Sequence, residues 1–213
     1  MSFAKVPDDD HMSVGAVNPR RSSAAAWSAE MLRDLALWSG RRPLEPADGQ
    51  RFIPHSADAR MVVWAVAATD LVTGLPIDTI VPTALRALHI LWTVVLLVLS
   101  LGFCAMTVRT PHMIDGPVLR IRTGPFRELA IPLTAVRSAR RAHGSAPGHG
   151  LRRVPDDETA VACSVTSATS VVLELDRPVP VRLRRGGVVT AERVHWAADD
   201  PAAAVRLVNA AVT

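Results

Sequence analysis

Between Arg86 and Arg109 the chain runs for 22 residues, Ala87 to Val108, without a formal charge. A helix rises about 1.5 Å per residue, so a run of that length crosses the roughly 30 Å hydrocarbon core of a bilayer. A soluble domain of this size has no use for a helix apolar on every face. The run predicts a membrane anchor, and the rest of the chain has to be arranged around it.

A second apolar segment precedes it, Met61 to Val81, interrupted by Asp70, Gly74, Pro76 and Asp78. Its length suits a span, although those residues interrupt the pattern. Charge on the flanks decides the topology. Arg41, Arg42, Arg51 and Arg60 precede this segment, and Arg109, Arg120 and Arg122 follow the strong run; only Arg86 lies between. One span would put the two basic flanks on opposite sides of the bilayer. Two spans keep both on the cytoplasmic side, as the positive-inside tendency favours. The sequence therefore predicts a two-helix transmembrane hairpin, about 60–80 and 86–108, turning around Pro82. It also predicts a plasma-membrane location with both termini cytoplasmic.

Composition agrees with a local anchor. Hydrophobic residues make up 49 % of 213, near an ordinary globular value, whereas a multi-span transporter would be far more apolar. The pI is about 10.3 with a net charge of only +4. Lys5 is the only lysine, a bias that fits a GC-rich coding sequence. Cys104 sits inside the apolar run and is not expected to bridge to Cys163, which suits a reducing compartment for the soluble part. Residues 1–21 contain Asp8, Asp9 and Asp10 and no apolar core, so no cleavable signal is expected. Met12 is an alternative start, and the first membrane segment would act as an uncleaved targeting signal.

Residues 1–23 are polar and read as disordered. Over 24–39, Trp27, Met31, Leu35 and Trp38 recur at helical spacing, with Glu30, Arg33 and Asp34 off the stripe. Gly40 follows as a C-cap. This short amphipathic helix either lies in the membrane interface or packs against the soluble domain. A Pro-rich linker is expected over 43–58, so that 24–58 form helix plus linker and 59–108 the hairpin.

Residues 109–213 are long enough to bury a core. Val118-Leu-Arg-Ile-Arg122 alternates as a half-buried strand does. Thr123-Gly124-Pro125 is a turn, and 127–133 a return strand. Residues 142–150 read as a flexible loop. Strands are expected at 160–165, 170–175, 179–183 and 188–196, separated by turns at Asp176-Arg177-Pro178 and at Arg185-Gly186-Gly187. Asp199-Asp200-Pro201 starts a closing helix, an Asp cap with Pro at the first helical position. Six or seven antiparallel strands with one C-terminal helix plugging a corner of a bent sheet is the expected α+β architecture.

The run His112-Met-Ile-Asp-Gly116-Pro-Val-Leu-Arg-Ile-Arg-Thr-Gly124, followed by Leu129-Ala-Ile-Pro132-Leu-Thr-Ala-Val136, resembles the opening of bacterial pleckstrin-homology-like (PH-like) domains attached to membrane spans. Ser170-Val-Val-Leu-Glu-Leu-Asp-Arg-Pro178 and the Asp-Asp-Pro helix fit the same plan. Residues 24–213 also look like an uncharacterised two-span group from high-GC Gram-positive bacteria. The resemblance implies a membrane-tethered PH-like antiparallel β-sandwich or partly open barrel, without a defined ligand. The long polar loop at 142–159 and Asp70 depart from that pattern.

Few residues carry chemistry. A carboxylate at bilayer depth is costly, so Asp70 should be protonated or paired. A turn near Pro82 would place it opposite roughly residues 89–93, and an Asp70–His89 hydrogen bond is expected. It would serve as a polar clip or as part of a proton or ion path; alternatively Asp70 lies in the interface because its segment does not span. Arg137, Arg140, Arg141, Arg152, Arg153, Arg182, Arg184 and Arg185 form a basic set that could dock on anionic lipid or a partner, each worth about 1 kcal/mol at an acidic surface; the plain alternative is solvated positive-inside charge. His143 and His149, on a glycine-rich loop without cysteine or carboxylate, are poor metal ligands. His112 is expected to mark the membrane exit, and Trp196 to lie in the core or pack against a helix. No catalytic motif is present; Asp156-Asp157-Glu158 and the pair Glu174 and Asp176 read as solvated faces. No enzyme, metal or cofactor is expected. The expected partners are membrane lipids and another membrane or cytoplasmic protein, with no nucleic acid and no small-molecule substrate. Two roles compete: a tethered binding or scaffolding module, and an accessory subunit associating through its helices, where Ala65, Ala67, Ala68 and Gly74 allow close packing.

Overall fold

The two long helices grow out of the middle of a sheet. In the computed structural model the chain enters that sheet as strand β1 (Gln50–Ile53), leaves it for two helices, and returns as the neighbouring strand β2 (His112–Asp115). Ile53 and His112 face each other across the ladder, so departure and return are adjacent points. The structure describes the backbone of residues 24–124, 127–183 and 187–212, and their side chains apart from those of Ala24, Leu75 and Asp78. The N-terminal stretch expected to be disordered lies outside the described residues.

Helix α1 (Ala24–Ser39) precedes β1. The inserted pair is α2 (Ala57–Ile80) and α3 (Thr83–Arg109), joined by a turn at Val81-Pro82. At about 1.5 Å per residue the pair extends some 36–40 Å from the sheet. Among the described residues α3 alone is long and apolar enough to cross a membrane, and only 28 % of its most apolar stretch is buried. α2 packs along it but carries Asp58, Arg60, Asp70 and Asp78. The two-span expectation thus meets a span's length and composition in one helix; α2 starts earlier than expected and ends at the expected limit, and α3 extends beyond its expected limits at both ends.

The remainder is α+β. β1 and β2 are followed by β3 (Val118–Arg122) and β4 (Glu128–Pro132), giving a four-stranded antiparallel sheet in chain order. Leu119 and Ile121 point inward, as does Leu129 with Ile131. Arg120 and Arg122 point outward and pair with Glu128 at 2.6 and 2.9 Å, so the alternation expected at Val118–Arg122 is what folds. After one 3-10 turn (Leu133–Ala135) come β5 (Val136–Ser145), β6 (Gly150–Val154), β7 (Asp157–Ser164), β8 (Ala168–Arg182) and β9 (Val188–Trp196). They form a five-stranded sheet ordered β5-β8-β9-β7-β6. Both sheets close on one apolar core that includes Leu119, Ile121, Val171, Leu173, Val194 and Trp196.

Four expectations change. The linker region 43–58 contributes β1, so the β body begins before the helices rather than at residue 109. The loop expected at 142–150 is mostly strand, since β5 runs to Ser145 and β6 starts at Gly150. The strands expected at 170–175 and 179–183 are one strand, β8, whose pairing with β9 is interrupted between Glu174 and Val179; Pro178 has no N–H to donate there and marks an irregularity, not a turn. Finally, β7 pairs with β9 in parallel, so the sheet is mixed.

α4 (Pro201–Val212) closes the core. Asp200 caps it, its Oδ1 accepting the Ala203 N–H at 2.9 Å. Ala204 and Val208 face inward. Asn209 satisfies the outer edge of β5: its Oδ1 accepts the Ala139 N–H at 2.8 Å, and its Nδ2 donates to the Ala139 carbonyl at 3.0 Å. The side-chain amide imitates one rung of a missing strand, which protects that edge from further pairing.

Candidate functional site at the helix–sheet junction

Two short links, 54–56 and 110–111, tie the helices to the sheet, and a histidine sits at each. The rings of His55 and His112 stack with centroids 4.1 Å apart and planes at 17°. They are 3 % and 1 % exposed. A backbone N–H can only donate and a carbonyl only accept, so the partners define each tautomer. The Arg122 N–H donates to His112 Nδ1 at 2.8 Å, leaving the proton on Nε2, which donates to the Ala197 carbonyl at 2.8 Å. His55 Nε2 donates to the Thr110 carbonyl at 2.8 Å, and its Nδ1 bonds the Ser56 hydroxyl. Trp196 meets the His112 ring edge-on at 5.0 Å. His112 is therefore neutral, and every nitrogen of the two rings is used; the Ser56 hydroxyl can donate or accept at His55 Nδ1.

Burial depresses the pKa of His112 well below its ordinary value, with His55 adding to the effect. Burial also lowers His55, against the opposing pull of the Thr110 bond and of Asp199. A histidine lowered by folding takes up its proton in the unfolded chain first. Stability is accordingly expected to be level above about pH 6.5 and to fall on acidification by about 1.4 kcal/mol per pH unit for each ring. Thermal unfolding of the full chain across pH 5–8 measures this.

Polar ties surround the stack. Asp199, ahead of α4, accepts the Ala57 N–H at 2.8 Å and the Arg60 guanidinium at 3.1 Å. It thereby caps α2 from a distant part of the chain, the Ser56 hydroxyl being turned to His55 instead. Arg60 also donates to the His55 carbonyl at 2.7 Å, and the Asp199 N–H to the Pro54 carbonyl at 3.0 Å. On the other flank Arg109, at the end of α3, stands 3.6 Å from Asp34 and donates to the Arg42 carbonyl at 3.1 Å. Asp34, expected off the apolar stripe of α1, is 8 % exposed, because α1 packs on α3. Met31 fills the space over Gly102, where an added Cβ would come within 2.5 Å of the Met31 Cγ. The helical base is tied to the β body through Asp199 on one side and braced by α1 and the residues after it on the other.

The structure separates Asp70 and His89. Gly74 approaches Thr93, its would-be Cβ 3.9 Å from the threonine hydroxyl. Antiparallel packing then sets Asp70 level with about residue 97, some 12 Å along α3 from His89 at 1.5 Å per residue. Asp70 is exposed on α2, and its carboxylate makes no hydrogen bond or ion pair among those of the described residues.

The expected basic set divides. Arg137 pairs with Asp176 at 2.6 Å and Arg140 with Glu174 at 2.9 Å. Arg141, Arg153 and Arg182 are exposed. Arg184 and Arg185 lie outside the described residues. Arg152 turns inward and donates to the carbonyls of Ala146 and Gly150 at 2.7 Å each, to that of Thr166 at 3.0 Å, and to the Ser164 hydroxyl at 3.1 Å. It stitches the β5–β6 connection to the β7–β8 connection. Arg152→Met is expected to leave those acceptors unmet and to cost about 2–3 kcal/mol. The exposed neighbour substitution Arg153→Met should stay within about 0.5 kcal/mol; thermal melts of the two variants make the comparison.

His143 and His149 are exposed. Among the described residues no group of three or more His, Cys, Asp or Glu side chains is placed to share a metal ion. Cys104 and Cys163 are both buried and unbridged, and burial pushes the Cys163 thiol up to about 12. His55 and Asp199 were not singled out by sequence reasoning. The available signal was the mirrored placement of Pro54-His55 before the first long helix and Pro111-His112 after the second. Compared with family models, with curated proteins and with solved structures, the chain matches none.

Proposed function

We propose that this chain is an integral membrane protein that holds a PH-like binding or scaffolding domain against the cytoplasmic face of the plasma membrane. The observation that carries the reading is the surface of α2 and α3. Met61, Trp64, Leu71, Leu88, Leu91 and Trp92 are all exposed, several by more than half. A patch that long is far larger than a water-facing surface tolerates, and it begins where the ties to the β body end. α3 is the full span and α2 accompanies it through the bilayer.

Orientation follows from charge. Arg41, Arg42, Arg51, Arg60 and Arg109 cluster at the domain end, whereas Arg86 stands near the hairpin tip, so the domain end is cytoplasmic. The junction makes the tether stiff, and one face of the β body keeps a constant aspect to the membrane. Two sheets with a closing C-terminal helix favour the PH-like comparison; the parallel β7–β9 pair and the hairpin inserted between β1 and β2 depart from the expected architecture. Arg137 and Arg140 are already paired, which favours a shaped contact with a protein over general adhesion to anionic lipid.

The accessory-subunit reading predicts contact through the helices instead. A photo-crosslinking residue placed at Arg141 or Arg153, and separately at Leu91 or Val95, distinguishes the two in living cells. Protein adducts from the β-body positions alone support the scaffold reading. Adducts from the helix positions alone would replace it with the accessory-subunit reading.

A further inference from the structure

We propose that the His55–His112 stack is an acid-sensitive latch: proton uptake at either ring releases the links at 54–56 and 110–112 from the β body. His112 Nδ1 is committed to a backbone N–H, a partner that matches only the neutral ring, and both rings give their Nε2 proton to a backbone carbonyl. Protonated His112 would present an Nδ1–H to the Arg122 N–H, two donors facing each other at 2.8 Å. The new cation would lie 4.1 Å from a second imidazole. Protonated His55 would meet the Ser56 hydroxyl, which can turn, but would carry its charge beside Arg60.

The charged groups facing the stack offer no ready counter-ion. Arg60 comes from α2 and Arg122 from β3, both cationic. Among the described residues Asp199, ahead of α4, is the acid that bears on His55, and the Ala57 N–H and Arg60 already hold it. Arg122 is itself balanced by Glu128 at 2.9 Å, on the far side from the histidines' own partners. The charged ring is satisfied only by leaving for water. Its departure strips the donors from the Ala197 and Thr110 carbonyls and frees the segment around Asp199 that caps α2. Two rings that both resist protonation in place, His112 by the facing N–H donor and His55 by burial beside Arg60, give opening a steeper pH dependence than one ring could. Of these bonds only that of the Arg122 N–H, at the end of β3, comes from a core strand, so the helical base would loosen while the β body stays folded.

The test is hydrogen exchange read by mass spectrometry on the purified full chain in detergent micelles, corrected for the intrinsic pH dependence of exchange. Between pH 7.5 and pH 5, segments 54–60, 110–114 and 196–200 should lose protection by more than tenfold. Segment 171–175 in β8 should lose none. Carbon NMR of labelled histidine should find both rings as the Nε2–H tautomer at pH 7.5 and protonated over the same pH range as the loss of protection. His55→Gln with His112→Gln can keep one donor and one acceptor at each site and should abolish the pH-dependent change; His195→Gln, on β9, should leave it intact. Unchanged protection at pH 5 in the natural chain overturns the latch. So does equal loss in β8, which would be global acid unfolding, and so does persistence of the change in the double variant. Should the double variant fail to fold, the natural chain's NMR and exchange profiles decide, because opening at a pH where both rings stay neutral also overturns it.

Discussion

Replacing residues 54–111 with Asn-Gly, in a chain cut to begin at residue 43 so that α1 goes with the α3 face it packs on, is expected to give a folded, water-soluble β body. The reasoning starts from register. Ile53 and His112 are partners on neighbouring antiparallel strands, so their Cα atoms lie about 4.5–5.5 Å apart. A two-residue turn bridges that gap, and Asn-Gly suits the twist of the strands it joins. What is removed is the exposed apolar surface and the links that carry it. What remains is both sheets, α4 and the shared core. The comparison that gives this prediction its force is the fragment 109–213. That fragment lacks β1, loses Ile53 from the core at about 2–5 kcal/mol, and leaves the edge of β2 open to other chains. The first variant should elute as a soluble monomer with a sharp thermal transition; the second should aggregate. Two soluble, equally stable fragments would show that β1 does not belong to the body.

Trp196→Ala should be the most damaging single substitution in the β body. Its side chain is fully buried between the sheets and meets His112 edge-on. Deleting a buried ring of this size leaves a cavity that a close-packed core fills only in part, at about 3–5 kcal/mol. That is a large fraction of the stability of a domain this small. The indole nitrogen has no hydrogen-bond partner among the described residues, so a donor is buried there unmet. Trp196→Phe removes that donor along with part of the ring, and the two effects oppose. It should therefore cost less than about 2 kcal/mol. Thermal or urea unfolding of both variants, in the full chain, separates ring volume from donor. Equal losses in the two would mean that the polar atom, not the packing, decides.

The parts of this fold that could be read in advance are those whose signal is local. Val118–Arg122 alternates, Val188–Trp196 is rich in β-branched residues, and Asp200-Pro201 starts a helix; each folds as its own residues direct. The parts that escaped depend on distant partners. β1 is four residues long, too short for alternation to register beside Pro43, Pro46 and Pro54. It becomes a strand because β2 returns next to it. Asp34 looks like a surface residue on an isolated helix and is buried only because Arg109 arrives from α3. The parallel direction of β7 against β9 leaves no trace in either strand. Asp176-Arg177-Pro178 has turn composition, and the long pairing on either side absorbs it into β8. The junction was the least legible of all. His55 and His112 are separated by the whole helical insertion, and their stacking, their tautomers and the trans cap from Asp199 exist only once both ends of the hairpin are in place. The long apolar helix α3 was the most legible, because its signal is uniform along its whole length.

The central claim is that the α2–α3 insertion lives in lipid while the β body does not. Alkaline carbonate washing of membranes from cells producing the full chain tests it most directly, with the Asn-Gly variant alongside. The account predicts that the full chain stays in the pellet and is recovered from it only by detergent, while the variant is found in the supernatant. A full chain that remains in the supernatant without detergent, unaggregated, would contradict it.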